Sequence, residues 1–439
     1  ANHSANIENH QPKCMKTILM TAYAVNPYKG SEEGTGWNII TQVARRFPVI
    51  AVTRKNNRAD IEQYIREHPE AGEWLNRITW LYFDWPKALL FWKKGPLLAA
   101  LYFYAWQLGV ALWVWRRKTE CDVVHSLNFH SNWTPSFLWI LGKPFIWGPV
   151  GNHPKIAHQY LLPVYGWKAY VKDRILWWVK CLFWYLDPFV YICKRKAEFI
   201  CVVNAQSARV LRIPESKRVF MPAVASEETN LPDKKNTAAF NVLSVGRFVP
   251  LKGFDLTISA FAQFHRSLSP EEKASSCLTL IGSGPEKDRL QQIIRNESME
   301  QYIRICEWMP RAEVMQQFQS ASVFLFPSHE GAGMVVPEAM SYGLPVLCLD
   351  HFGPGEYIHP DSFLRIPHNH YNTTIHQLGK RLQQLYRQPG FYERESKLAY
   401  ERFEDFFRWS SKADILESLY HQCHAPAFTR LFHQQSTWN

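Results

Sequence analysis

The chain has little of what marks several protein classes. Its nine cysteines form no C-x-x-C pair and are odd in number, so they read as reduced thiols of a cytoplasmic protein rather than as a disulfide framework. Cys201, Cys277 and Cys348 sit in or beside apolar strand patterns, where a free thiol packs as a small hydrophobe. No G-x-G-x-x-G fingerprint occurs, and no internal repeat or low-complexity tract is evident. The histidine pairs His125/His130 and His153/His158 both miss the i,i+4 spacing that places two ligands on one helix face. Neither has an obvious acidic third ligand, so no metal is expected. Residues 1–14 are polar and aperiodic and read as a disordered leader; the short apolar run Ile18 to Val25 reads as a first strand, not a signal peptide.

Acidic residues are also in deficit, 39 against 50 basic, giving a net charge of +11. Such a balance calls for an anionic partner: a nucleoside diphosphate, a lipid headgroup or nucleic acid. What the chain has in quantity is length and aromatic surface. Its 439 residues, 46% hydrophobic, suffice for two or three domains with sizeable cores. Aromatic residues reach 15%, with 18 tryptophans that need a place.

Strand patterns alternate with helical ones along both halves, which means doubly wound parallel sheets. We read a first domain over 15–225, a polar linker over 226–238, a second domain over 239–400 and a final amphipathic helical segment over 401–439. In the first domain, the loop Asn26 to Gly36 is expected to feed a helix from about Trp37, with Gly34 and Gly36 letting backbone N–H groups approach a ligand. A plain turn is an equal reading of that loop. The strand Asp122-Val-Val-His125 ends in polar groups, and His125 lies where it stops being apolar.

Two stretches hold most of the aromatic residues. The run Leu97 to Trp115, preceded by Trp85 and Phe91-Trp-Lys-Lys94, approaches the length that spans a bilayer. It leads directly into a sheet strand, so packing on the sheet or lying at a membrane surface is more economical. The stretch Tyr160 to Lys196 interleaves tryptophans with lysines, which suits an anionic headgroup layer or an ordinary core face with solvated lysines. Such mixing can also bind single-stranded nucleic acid, but no recognisable nucleic-acid fold accompanies it, and none is expected as a partner.

The most informative stretch runs from Val323 to Asp350. An apolar strand ends at Pro327-Ser328, a loop carries Gly331 and Gly333, a helix follows from about Val335, and Gly343 and Pro345 stop it before another buried strand. Glu330 and Glu338 lie at the loop and early helix. In such sheets ligands bind beyond the carboxyl ends of the strands. Arg247 and Lys252 follow another strand of the same domain, beside Gly246 and Gly253. Two cations on a glycine-bearing loop suit a diphosphate, and carboxylates suit vicinal sugar hydroxyls.

The matching residues Val245-Gly-Arg-Phe248 with Lys252-Gly253, Ile281-Gly-Ser-Gly-Pro285 and Phe326 to Glu338 carry a Glu-x7-Glu signature, with Gly343-x-Pro345-Val346 behind it. On these, the second half resembles the nucleotide-sugar domain of retaining GT-B glycosyltransferases of the glycosyltransferase family 4 type. The resemblance implies an α/β fold of two Rossmann-like domains facing a cleft, with a C-terminal helix crossing back to an acceptor-binding first domain. It implies that Arg247 and Lys252 hold the diphosphate and Glu338 the ribose. Glu330 and the Gly331-Ala332-Gly333 backbone, with Met334 and Val335 after them, would meet the donor sugar, and Gly246 and Gly282 would line the donor. The segment Trp308-Met309-Pro310-Arg311 would lie where the base rests. Gly34 and Gly36 would lie beneath the phosphate, and His125 near the reacting carbon, acting with Glu330, Arg247 and Lys252 in catalysis. No Asp-x-Asp occurs in the chain, in keeping with the family's metal independence and the expectation of no cofactor.

The expected partners are a nucleotide-sugar donor, a glycan or polyprenyl-linked acceptor and an anionic membrane surface, on the inner face of the cell membrane. A GT-B epimerase, a storage-glucan synthase and a membrane-docked non-catalytic scaffold are the competing readings.

Overall fold

A computed structural model describes residues 16–86, 95–127, 131–227 and 239–423. The leader over 1–14, Phe91 to Lys94, His130, residues 228–238 of the linker and residues 424–439 of the tail lie outside the described residues.

Two parallel sheets organise the chain. The first contains β1 (Ile18–Ala22), β2 (Val49–Thr53), β3 (Ile78–Tyr82), β4 (Val123–Leu127), β5 (Phe145–Val150), β6 (Phe199–Val202) and β7 (Arg218–Phe220), in the order β3-β2-β1-β4-β5-β6-β7. The second contains β8 (Phe240–Val245), β9 (Ser276–Ile281), β10 (Ile303–Cys306), β11 (Val323–Phe326), β12 (Val346–Leu349) and β13 (Arg365–Ile366), in the order β10-β9-β8-β11-β12-β13. Strands β1, β4, β6, β11 and β12 are buried at every position, as strands covered by helices on both faces must be. Each order reverses once, between β1 and β4 and between β8 and β11. At such switch points the connections leave toward opposite faces and a crevice opens beyond the strand ends.

The final helix, Trp409–Gln422, places Trp409, Leu416, Leu419 and Tyr420 in the core of the first domain. Arg46 anchors it through Asp414 at 2.7 Å, and Lys16 donates to the carbonyls of Tyr420 (2.7 Å) and Cys423 (2.9 Å). The return begins later than residue 401. Phe403 and Phe407 still belong to the second domain's core, and the crossover lies where Ser226 N–H donates to the Phe407 carbonyl at 2.9 Å. A second bridge runs the other way: Tyr160 of the first half packs in the second core, its hydroxyl 2.8 Å from Thr374 Oγ1.

The apolar helix Gly95–Arg116 lies on the first sheet. Tyr102, Trp106, Val110, Ala111 and Val114 are buried, and Trp106 Nε1 donates to the Phe83 carbonyl at 3.1 Å. By length and composition Leu98–Arg116 could cross a membrane, yet this face belongs to the domain core. Helix His158–Leu186 differs. Only Tyr160, Leu161 and Trp184 are buried along it, while Tyr165, Ala169, Tyr170, Trp177 and Cys181 pack partly buried against the two cores. The chain kinks at Gly166, where φ is +77°. Beyond the kink the helix presents Trp167 (67% exposed), Trp178 (69%) and Leu186 (72%), with the exposed lysines Lys168 and Lys172 among them.

Candidate active site

A cleft of about 770 Å³ opens between the domains at the second sheet's switch point. Arg247 and Lys252 reach it from the loop after β8, and Glu330 from the loop after β11. Gly253 ends a short 3-10 turn at φ +67°, and a Cβ there would stand 2.2 Å from the Pro327 carbonyl oxygen. Glycine therefore lets the two strand-end loops press together, which Ser328 Oγ and His329 N–H reinforce by donating to the Leu251 carbonyl at 3.2 and 2.8 Å. The result sets Lys252 Nζ 2.8 and 2.6 Å from the two oxygens of Glu330. Both side chains are largely shielded, and the Lys252 ammonium also stands 5.1 Å from the Phe326 ring centre.

Glu338, in the first turn of helix Val335–Ser341, pairs with Arg311 Nη2 at 2.7 Å. Burial holds the Glu338 carboxyl above its usual range, while Arg311 pulls in the opposite direction. Arg311 is more than half exposed, so it can swing without leaving a buried cation. The cleft thus carries two carboxylate–cation pairs along one wall, with Arg247 beside them. This arrangement can exchange protein carboxylates for ligand phosphate at the cations while freeing carboxylate oxygens for hydroxyls.

Of the residues singled out in the sequence, Gly34, Arg247, Lys252, Glu330, Ala332, Met334, Val335 and Glu338 line this cleft. Gly246, Gly282, Met309, Gly331 and Gly333 lie behind the lining. Gly246 gives room to the Lys252 stem, whose Cδ and Cε would lie 3.4 Å from a Cβ. Met309 packs against the second core, whereas its neighbour Trp308 is 80% exposed. Gly331 has a different task. A Cβ on it would stand 2.0 Å from the Asn152 carbonyl oxygen of the first domain, and Asn204 Nδ2 donates to its carbonyl at 2.7 Å. It is one of the points where the domains touch.

Two expectations need correction. Gly34 and Gly36 are not in a loop: the helix begins at Ser31, and both glycines lie inside Ser31–Ala44. Gly30 caps the helix, Gly34 N–H donates back to its carbonyl at 3.3 Å, and Gly36 is buried away from the cleft. Glycine is needed at position 34, because a Cβ there would stand 2.2 Å from the Lys29 carbonyl oxygen. His125 is fully buried, with Nδ1 2.7 Å from the Tyr420 hydroxyl and Nε2 2.7 Å from the Gly148 carbonyl. Burial lowers its pKa to about 4. Both nitrogens are occupied in tying the returning helix to the sheet, so His125 is a tether and does not line the cleft.

The histidine that does line the cleft is His153. Gly331 N–H lies 3.3 Å from its Nδ1, which makes the ring an acceptor there and leaves its proton on Nε2. Burial keeps its pKa below the usual value, with Glu330 opposing. Its position, three residues past the end of β5 and two past Gly151, was the available signal. Pairing it with His158 in a search for metal spacing concealed it. Among the described residues no group of three or more His, Cys, Asp or Glu could hold a metal ion. Glu32 and Asn38 of the first domain and Glu227 of the linker also line the cleft and were likewise missed.

Comparison with known proteins agrees with this geometry. Residues 226–402 match the model of the family "Glycosyl transferases group 1", a span that contains the second sheet and its side of the cleft. Over 194 residues the chain is 32% identical to O-antigen chain mannosyltransferase B of Escherichia coli, covering 40% of this chain and 48% of that protein. Over 124 residues it is 28% identical to the amylovoran biosynthesis glycosyltransferase AmsK of Erwinia amylovora, covering 27% and 29%. The chain spans about a third of the length of several curated relatives it matches, 33%, 35% and 37%. The crystal structure of Anabaena Alr3699/HepE in complex with UDP and glucose superimposes with a TM-score of 0.56 at 15% identity, covering 92% of this chain and 99% of that one. Two parallel-sheet domains, a cleft between them and the returning helix make this a GT-B fold.

Proposed function

We propose that the chain is a retaining glycosyltransferase that moves a hexosyl group from a nucleoside-diphosphate sugar to a glycan acceptor carried on a lipid. The observation that carries this reading is the Lys252–Glu330 pair beside Arg247, held at the switch point by Gly253. On donor binding, Lys252 and Arg247 take the diphosphate, and Glu330 and the Ala332–Val335 backbone take sugar hydroxyls. Arg311 releases Glu338 to the ribose. The acceptor oxygen bonds the anomeric carbon as its bond to phosphate breaks. The nucleoside diphosphate leaves with that electron pair, and the acceptor's proton passes to the departing phosphate. Negative charge grows on the leaving group, where Lys252 and Arg247 stand, so their attraction strengthens in the transition state. No metal is needed in this scheme, because the two cations occupy the place a divalent ion would take. The polysaccharide-building names of the relatives, O-antigen and amylovoran, favour a cell-envelope acceptor over an epimerase or a storage-glucan role.

The exposed face of helix His158–Leu186, with Trp167, Ile175, Leu176 and Trp178 beside Lys168 and Lys172, supports peripheral docking on an anionic inner membrane face. Flotation of the full chain with vesicles should need anionic lipid and weaken with salt. Retention unaffected by salt would point to insertion instead. The chemistry is tested by donor turnover: Lys252→Ala and Glu330→Ala should abolish it, and a product of inverted anomeric configuration would overturn the retaining assignment.

A further inference from the structure

The second sheet's switch point holds the donor charges; the first sheet has its own switch point, between β1 and β4. Beyond the ends of those two strands lies a second cavity, of about 260 Å³, lined by Tyr23, Ala24, Glu32, Phe103, Leu127, Ser131 and Trp133. Tyr23, Phe103 and Trp133 give it three aromatic walls, with one carboxylate, on Glu32, and hydroxyl-bearing side chains at Tyr23 and Ser131. Glu32 lines this cavity and the donor cleft alike, so the two spaces meet at that side chain.

The walls are held firmly. Tyr23 packs edge-on against Phe103 at 4.9 Å, with the Arg54 guanidinium 4.7 Å from its ring centre. Ser131 Oγ donates to Thr134 Oγ1 at 2.8 Å. The neighbouring Asn132 is fixed from both sides: its Nδ2 donates to Asn152 Oδ1 at 3.1 Å, and its Oδ1 accepts from Trp184 Nε1 at 3.0 Å. Trp133 in turn packs against Phe183 at 5.0 Å between ring centres. Phe183 sits on helix His158–Leu186, and its neighbours Leu182, Tyr185 and Leu186 are exposed. The cavity's aromatic wall is therefore continuous with the exposed apolar face of that helix.

We propose that this cavity binds a saccharide ring of the acceptor, with an apolar aglycone running from Trp133 onto the exposed Leu182–Leu186 face. A pyranose suits such a site: its C–H faces stack on aromatic rings, and its hydroxyls find Glu32 and Ser131. Binding there places an acceptor hydroxyl at Glu32, on the boundary with the donor sugar. An apolar tail that remains on the helix face keeps the acceptor attached to its membrane while its sugar reaches the cleft. The proposal rests on the donor reading above, and it assigns the acceptor's sugar and its apolar tail to named residues.

The test uses the full chain with a panel of nucleoside diphosphates and octyl glycosides of glucose, galactose and mannose as probes, kept below micelle formation. The corresponding methyl glycosides and a sugar-free octyl sulfobetaine are the controls. Saturation-transfer NMR reads contact at the sugar ring, and calorimetry reads nucleotide binding separately. At least one octyl glycoside should show ring contact, its methyl counterpart should bind at least tenfold more weakly, and the sulfobetaine should show no competition for the sugar. Ala24→Phe, which fills the cavity, and Trp133→Ala, which removes its wall, should each weaken the octyl glycoside at least tenfold with nucleotide affinity unchanged and the fold intact by circular dichroism. Ring contact that is unchanged in both variants, or full displacement by the sulfobetaine, overturns the proposal. Failure of the wild-type chain to bind any nucleoside diphosphate overturns the donor reading, and this proposal with it.

Discussion

Removing the Lys252 ammonium separates what holds the site together from what it does. In Lys252→Ala, Glu330 keeps only its backbone contact, Glu330 N–H to Ser328 Oγ at 3.2 Å, and loses both side-chain hydrogen bonds to the ammonium. A buried ion pair broken on one side costs about 3–5 kcal/mol. This pair borders a cleft that water enters, with Lys252 16% and Glu330 7% exposed, so about 1–3 kcal/mol is the expected loss. For a domain of this size each kcal/mol is worth about 2–4 °C, which gives a drop of about 2–12 °C in thermal unfolding. The double variant Lys252→Met/Glu330→Leu removes both charges at similar volume and should recover most of that stability. Turnover of the donor should be lost in the single and double variants alike. Scanning fluorimetry and a nucleoside-diphosphate release assay on the same preparations read both. A double variant no more stable than Lys252→Ala would refute the ion-pair argument, and turnover retained in either would refute the diphosphate assignment.

Two further predictions concern groups that tie the domains together. Glu356 accepts from Ala205 N–H across the interface at 3.0 Å, and burial raises its pKa from 4.5 to about 7. Between those values the unfolded chain has released a proton that the folded chain retains, so stability is full below pH 4.5 and falls as pH rises to 7, by up to about 3 kcal/mol. Glu356→Gln should flatten that fall, gaining stability at pH 8 and little at pH 4.5 in denaturant titrations; equal effects at both would contradict it. Lys412 in the returning helix is buried, its Nζ has no hydrogen-bond partner, and burial lowers its pKa from 10.5 to about 7. A depressed lysine contributes its full stability above pH 10.5 and loses it as pH falls toward 7. Lys412→Met should therefore raise the melting temperature at pH 7, and the gain should shrink toward pH 10; a loss at pH 7 would show that the ammonium is compensated.

The second domain was readable because its elements repeat a simple physical pattern. Apolar runs of four, such as Val323–Phe326 and Val346–Leu349, coincide with strands β11 and β12 at both ends, since buried parallel strands need apolar residues on both faces. Charges placed just past those runs had to emerge at the same sheet edge, and Arg247, Lys252, Glu330 and Glu338 did so. The first domain was legible in its strands and not in its site. Gly34-Thr-Gly36 suggested a loop by local propensity, and packing against the Lys29 carbonyl and the sheet made it helix instead. His125 stands at the polar end of its strand because it bonds a tyrosine 295 positions away, a partner no local pattern announces. His153 meets Gly331 only because the domains close on each other. Contacts made between domains leave no periodicity in either segment, and they decide which polar residue faces a ligand. The tryptophans of helix His158–Leu186 stand out in composition, yet only the kink at Gly166 and the burial of their neighbours among the described residues reveal which of them face outward.

The central claim is that the interdomain cleft binds a nucleoside-diphosphate sugar through Lys252, Arg247 and Glu330. Isothermal calorimetry with UDP-, GDP- and ADP-sugars on the full chain, in the presence of a chelator, tests it most directly. One base should bind with micromolar dissociation constant, about −8 kcal/mol, and Lys252→Ala should weaken it by at least tenfold. Binding of none of the three, or binding that Lys252→Ala leaves unchanged, would contradict the account.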